Sequence, residues 1–196
     1  MVLAANPISS SSIAVLLDLD ADRDVFPLLS SAQSLLILHD INCPVRPFHK
    51  SFPEFIIDPD RCTNQRFYVS PPHHHSRLLI SCLNLMSRSL EKNMCKLPDG
   101  VANSDISDLK ERIERYIDPA LRYACRSWHT HLVGGHAPLT NTLEVTATLH
   151  RFLERKLLFW LEVLSVLGAV RNAVDALKAT ADWLEVRRDH MAGLLP

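Results

Sequence analysis

Glycine is scarce in this sequence, with five in 196 residues, at Gly100, Gly134, Gly135, Gly168 and Gly193. None begins a Gly-x-x-x-x-Gly-Lys run followed by Ser or Thr, so no glycine-rich loop can cradle phosphates by itself. The five cysteines, Cys43, Cys62, Cys82, Cys95 and Cys125, are odd in number, widely spaced and form no Cys-x-x-Cys pair. That excludes a disulfide scaffold or zinc ribbon and predicts reduced, mostly buried thiols in a cytoplasmic protein. Charge of one sign is lacking as well. With 21 Lys and Arg against 22 Asp and Glu, the net charge is -1, and no overall basic field exists to collect nucleic-acid phosphates. Long apolar runs are also missing. The longest, residues 157–170, carries Glu162 and falls short of the roughly 18 to 20 residues a membrane span needs, so a buried core helix is expected and no membrane partner. The N-terminus has no basic segment, and Asn6 and Pro7 break its apolar start, which is not the pattern of a signal peptide. No repeat of fixed period is visible.

What is present is an ordinary globular composition, 47 % hydrophobic and 22 % charged, in a chain long enough to bury roughly 70 % of its unfolded surface. Residues 9–12 are serines that can cap a short helix over residues 13–17. A second short helix is predicted over residues 24–29, with Asp22 and Asp24 as caps and Val25, Leu28 and Leu29 on one face. Two extended runs follow, 34–38 and 45–48, separated by His39-Asp40-Ile41-Asn42-Cys43-Pro44, whose Asp, Asn and Pro favour a hairpin. Ser51 then caps another helix, with Pro53 in its first turn. Residues 58–72 are polar and proline-bounded and read as a connector with a short extended piece at Phe67-Tyr68-Val69.

Beyond the connector the pattern is helical. Leu78, Leu79, Cys82, Leu83, Met86, Leu90 and Met94 recur at three- and four-residue steps and predict one long helix that stops near Pro98-Asp99-Gly100. Ser104 is placed as the cap of the next helix, with Ile106, Leu109, Ile113 and Ile117 inward and Lys110, Glu111, Glu114 and Arg115 in water. Asp118-Pro119 starts another helix, with Leu121, Ala124, Cys125, Trp128 and Leu132 as its stripe and Gly134-Gly135 and Pro138 as its end and a flexible loop. From about Thr142 a long helix becomes apolar on almost every side between residues 157 and 167, so it is expected to be surrounded. A last helix, with Val170, Val174, Leu177, Ala181 and Leu184 on one face, is expected to supply part of that cover.

Candidate chemistry is thin. Three adjacent histidines, His73-His74-His75, cannot converge on one ion from a helix and are expected to be solvated. His129 and His131 lack the i, i+4 spacing of a helical metal pair, and His136 and His150 have no obvious partner, so no metal site is expected. Ser10, Ser11, Ser12, Ser51 and the cysteines sit in no nucleophile elbow and beside no paired base, so no catalytic residue is assigned. Trp128, Trp160 and Trp183 lie on helical stripes and read as core. Arg187-Arg188 and residues 110–115 read as solvated charge.

The residue that stands out is His49, at the corner where the 45–48 strand gives way to the Ser51 helix. Its backbone is fixed from both sides. The run Pro47-Phe48-His49-Lys50-Ser51-Phe52-Pro53-Glu54-Phe55 resembles the fungal NACHT NTPases, relatives of the NOD-like and STAND signalling ATPases. So do Asp58-Pro59-Asp60-Arg61-Cys62, Cys82-Leu83-Asn84-Leu85-Met86 and Leu90-Glu91-Lys92-Asn93-Met94-Cys95, with later runs at residues 120–128 and 159–165. The likeness spans residues 1 to about 186 and is to the segment that follows the nucleotide-binding core, a winged helix and then a helical arm.

The resemblance implies a mainly α fold: a small winged helix with a β-hairpin over residues 1–60, a connector over 61–72, a multi-helix domain over 73–190 and a tail over 191–196. It implies a truncated, non-catalytic signalling arm that starts after its ATPase core. In the signalling relatives a histidine of a Met-His-Asp motif contacts the phosphate of bound ADP. Phe48-His49-Lys50 resembles that motif, with Lys50 where the wider pattern has an acid, so His49 would sense phosphate only when docked on such a core. No cofactor is expected for the chain alone; ADP or ATP is implied only in full-length relatives. The implied partners are an ATPase core, full-length NACHT relatives or a second copy through self-association. The rival reading is a winged-helix nucleic-acid binder. It would need a basic recognition helix, yet residues 22–29 hold only Arg23 and the wing only Arg46.

Overall fold

A computed structural model describes residues 3–135 and 142–192. The protein is mainly helical, with eight α-helices and one two-stranded antiparallel sheet among the described residues. Helix α1 (Ser10–Leu17) is capped by Ser9, whose hydroxyl accepts from the Ser12 amide, and ends at Asp18 in the left-handed region, φ 58°. A π-helical turn, Ala21–Val25, runs directly into α2 (Phe26–Ser30). Its cap is Asp20, which accepts from the amides of Asp22 and Arg23, rather than Asp22 or Asp24. Val25, at the end of the π-helical turn, is buried, whereas Leu28 is exposed and α2 buries none of its five residues.

The hairpin pairs β1 (Leu36–Ile37) with β2 (Arg46–Pro47) in the register Leu36 to Pro47 and Ile37 to Arg46. Asp40 shapes the connection, its Oδ1 accepting from the amides of Asn42 and Cys43. So short a ribbon is not stable alone. It is tied to the start of α1 by the Ser11 amide on Ile41 O and the Val45 amide on Ile8 O, with Leu36 and Val45 buried beneath. Helix α3 (Ser51–Ile56) follows. The 67–69 stretch is not a strand; residues 65–67 turn, and the Val69 amide reaches Ile56 O instead.

Helix α4 (Pro71–Ser89) opens on two prolines, where missing N–H groups cost nothing, and buries Leu79, Cys82, Leu83, Leu85 and Met86. It stops well before Pro98. Asn93 takes a left-handed φ of 50°, and its side-chain amide holds Leu97 at both ends, donating to Leu97 O at 2.8 Å and accepting from Leu97 N at 2.7 Å. Leu90 and Met94 therefore keep their inward places from a loop rather than a helix. Ser104 lies in a 3₁₀ turn, Asn103–Asp105, and α5 (Leu109–Tyr116) begins only after Asp108. Helix α6 (Pro119–Gly134) starts where Asp118 caps Ala120 N at 2.7 Å and ends at the Gly134-Gly135 pair. The loop expected at Pro138 lies outside the described residues.

The core is built chiefly from α4 against α6, with α7 (Thr142–Val166) and α8 (Val170–Ala192) laid over them and α1 contributing Leu16. Trp128, Phe152 and Trp160 form its aromatic centre, in edge-to-face pairs 5.7 to 6.0 Å apart. Trp160 Nε1 donates to Cys125 O at 2.9 Å, fixing α7 on α6. The 157–167 stretch is only partly surrounded: Trp160, Val163 and Leu164 are buried, but Leu158 faces out. Helix α8 reverses the expected face. It buries Ala173, Ala176, Thr180 and Trp183, and turns Val170, Val174, Leu177, Ala181 and Leu184 outward. Ala173 and Ala176 suit close packing near the start of α8, where Asn172 donates to Arg126 O of α6 at 3.1 Å, and Trp183 supplies bulk farther along the same face.

Candidate functional site

Two histidine settings stand out, one on the surface and one inside. His49 is exposed at the corner between β2 and α3. Its Nδ1 accepts from the Ser51 amide at 3.1 Å and lies 2.8 Å from the Ser51 hydroxyl. The helix start is thus capped by a histidine ring, and Ser51, expected as the cap, is the first helical residue. Because Nδ1 accepts from a backbone amide, the neutral ring must carry its proton on Nε2. An N–H donor is left on an exposed ring.

The surface beside it is apolar. Residues paired across an antiparallel ribbon share a face, so Leu36 and Pro47 point together and their neighbours point the other way. Leu35 and Ile37 are exposed on that outer face, and Phe48, whose amide bonds Leu35 O at 2.8 Å, is 73 % exposed. The only charge among them is Arg46, opposite Ile37. Phe48 is therefore an outward aromatic adjoining an outward imidazole.

His75 is only partly exposed, rather than solvated as its place in a histidine triplet suggests. The first turn of α4 lays its ring against the end of α6, in the space a β-carbon on Gly134 would occupy, 2.7 Å from the ring atoms. There His75 Nδ1 meets His131 Nδ1 at 2.9 Å, and His131 Nε2 meets the Tyr123 hydroxyl at 2.8 Å. Tyr123 in turn accepts from the Ala5 amide at 3.2 Å. One direction of donation satisfies every group: Ala5 N–H to Tyr123, Tyr123 O–H to His131 Nε2, and His131 Nδ1–H to His75 Nδ1. Burial pushes the His131 ring down to about 4, with His75 beside it adding to the effect, and burial lowers His75 too. Both rings are held neutral. Desolvation also raises the Tyr123 hydroxyl far above its ordinary range.

Next to this relay a cleft of about 790 Å³ opens between Leu17, Leu19, Val69 and the outer face of α4, where His73, His74 and Arg77 stand. Glu144 lines it from the α7 side, so its charges are balanced rather than of one sign. His73 and His74 pack edge to face at 5.3 Å and diverge from His75. Among the described residues no group of three or more His, Cys, Asp or Glu side chains converges as a metal site. His129 is half-buried with its Nδ1 unpartnered, and burial lowers its pKa. His150 does have a partner, Glu154, 3.3 Å away on the surface. His136 lies outside the described residues.

Among the nucleophile candidates, Ser51 lies beside an imidazole, its hydroxyl 2.8 Å from the exposed His49 Nδ1, and the others are buried or hydrogen-bonded elsewhere. Cys82 and Cys125 are fully buried, and desolvation raises the first far up and the second to about 12. Cys62 and Cys95 are buried too, and Cys43 donates to Asp40 Oδ2 at 2.9 Å, which raises its thiol. At the α1 cap the Ser9 hydroxyl bonds those of Ser11 and Ser12, and Ser10 donates to Ile41 O. Of the charge clusters, Arg187 stacks on the Trp183 ring at 4.3 Å, and Arg112 bonds Asp108, Cys95 O and Lys96 O, so both carry structure. The side chain of Arg188 lies outside the described residues. No helix among the described residues is long and apolar enough to cross a membrane.

Sequence reasoning missed the His75, His131 and Tyr123 relay. Its members are 56 and 8 positions apart, and the one local signal was Gly134, a glycine inside a helix where close approach is needed. No protein-family model matches the chain, and no curated protein or solved structure matches it.

Proposed function

We propose that the chain is a non-catalytic docking arm of the NACHT type, in which residues 1–60 act as a small winged helix and the helices after them as a signalling arm. The reading rests on the sequence resemblance, and the observation that carries it is the pairing of an exposed His49 Nε2–H with the outward Leu35, Ile37 and Phe48. An apolar face beside a ring N–H donor is suited to a partner that presents an apolar surface and a phosphate together. A nucleotide-loaded ATPase core is such a partner. The chain has no phosphate cradle of its own, so the nucleotide would come with the core.

A hydrogen bond to a charged phosphate contributes about 1.5–3 kcal/mol, enough to bias a two-state arm tenfold or more. The test is calorimetry with ADP and ATP, first on the chain alone and then mixed with the ATPase core of a full-length NACHT protein. The expected result is silence alone and ADP-dependent association with the core, lost in His49→Ala. Nucleotide binding to the chain alone, or association indifferent to His49, would overturn the reading.

A further inference from the structure

The outward stripe of α8 is a second surface, independent of the hairpin. Val170, Val174, Leu177, Ala181 and Leu184 follow alternating steps of four and three residues, the spacing of a coiled-coil seam, over about 21 Å of helix. The four large members are 53 %, 66 %, 40 % and 46 % exposed in chain order, so nothing among the described residues covers the seam. Ala181, its one small member, permits close approach there.

The seam's flanks identify its occupant. One side is the buried alanine face against α6; the other is edged by Arg171, Lys178 and Glu185, seven residues apart. That edge is basic at one end and acidic at the other, so it complements itself when a second copy runs antiparallel. With the two-fold axis level with Lys178, Arg171 falls opposite Glu185 of the second copy, Val174 between its Ala181 and Leu184, and Leu177 between its Leu177 and Ala181. Lys178 comes to the axis with Asp175 and Asp182 one turn to either side on its own helix, where they offset its charge. We infer that α8 mediates an antiparallel homodimer of this chain, an isologous interface in which the same stripe serves both copies.

Sedimentation velocity on the full chain over a concentration series tests this, with circular dichroism as the check on folding. The wild-type chain should pass from monomer to dimer. Leu177→Glu, which sets a carboxylate in the apolar seam beside the axis, should hold it monomeric over the same range. Arg171→Glu should weaken the dimer about tenfold, and the exchange Arg171→Glu with Glu185→Arg should recover wild-type association within about threefold. A chain that stays monomeric up to about 1 mM overturns the proposal. So does a dimer that Leu177→Glu leaves intact, or one that the charge exchange fails to restore.

Discussion

His75 and His131 face each other Nδ1 to Nδ1 across 2.9 Å, and only one of the two can hold the proton between them. A second proton on His75 Nδ1 would put two donors face to face, and burial opposes a charge on the His131 ring, so the arrangement favours neutral rings. Its cost appears in acid. The unfolded chain takes up a proton on His131 near the ordinary 6.5, whereas the folded chain resists until about 4. The unfolded state therefore binds more protons within that window, and stability is complete above pH 6.5 and falls as the pH drops toward 4. The contribution lost is on the order of 3 kcal/mol, and His75 adds in the same direction. Urea titrations at pH 7.5 and pH 4.5 should show this difference, and His131→Leu should flatten the slope while lowering stability at the higher pH.

Gly134→Ala tests the packing of the same pair. In most helix interiors the change stabilises by up to about 1 kcal/mol. Here the new methyl would sit 2.7 Å from the His75 ring, so the expected effect is a loss of about 1–3 kcal/mol by urea denaturation. Pairing it with His75→Ala should recover much of that loss.

The aromatic centre gives the largest expected effect. Phe152 is fully buried between Trp128 and Trp160, and Phe152→Ala should cost about 3–5 kcal/mol, lowering Tm by about 10 °C in a calorimetric scan. Tryptophan emission should shift to the red in the variant as water reaches both rings.

Helix α8 offers a contrast between its faces. Ala176→Leu puts a large side chain where Ala176 is fully buried and should destabilise by about 1–3 kcal/mol. Val174→Asn, on the outward stripe, should stay within about 0.5 kcal/mol at dilute concentration. The opposite ranking would mean that the aliphatic face is the buried one.

That contrast also shows what was legible in the sequence. Helix α6 could be read in full, because Asp118-Pro119 and Gly134-Gly135 are local signals at its ends and Leu121, Cys125 and Trp128 dominate its stripe. Helix α8 carries two faces, and periodicity weighs Val and Leu above Ala, so the alanine face was passed over. In the fold that face packs on α6 near the start of the helix, and Trp183 supplies bulk farther along. The early end of α4 was hidden by Leu90 and Met94, which continue its apolar rhythm from the Asn93 loop. The hairpin and the corner at His49 were marked by Asp40, Pro44 and Ser51. The capping role of the ring itself was not, since it depends on a rotamer rather than on spacing.

The burial of four thiols turns the chain into its own stopwatch. Cys82, Cys95 and Cys125 belong to the main core, with Cys82 and Cys125 close enough to influence each other, Cys62 is buried outside that cluster, and Cys43 alone is partly open. A pulse of alkylating reagent should therefore mark Cys43 first, and the others only as fast as the layer above each one opens. Read residue by residue by mass spectrometry, the order of labelling reports which layers open separately and which open only when the whole core does.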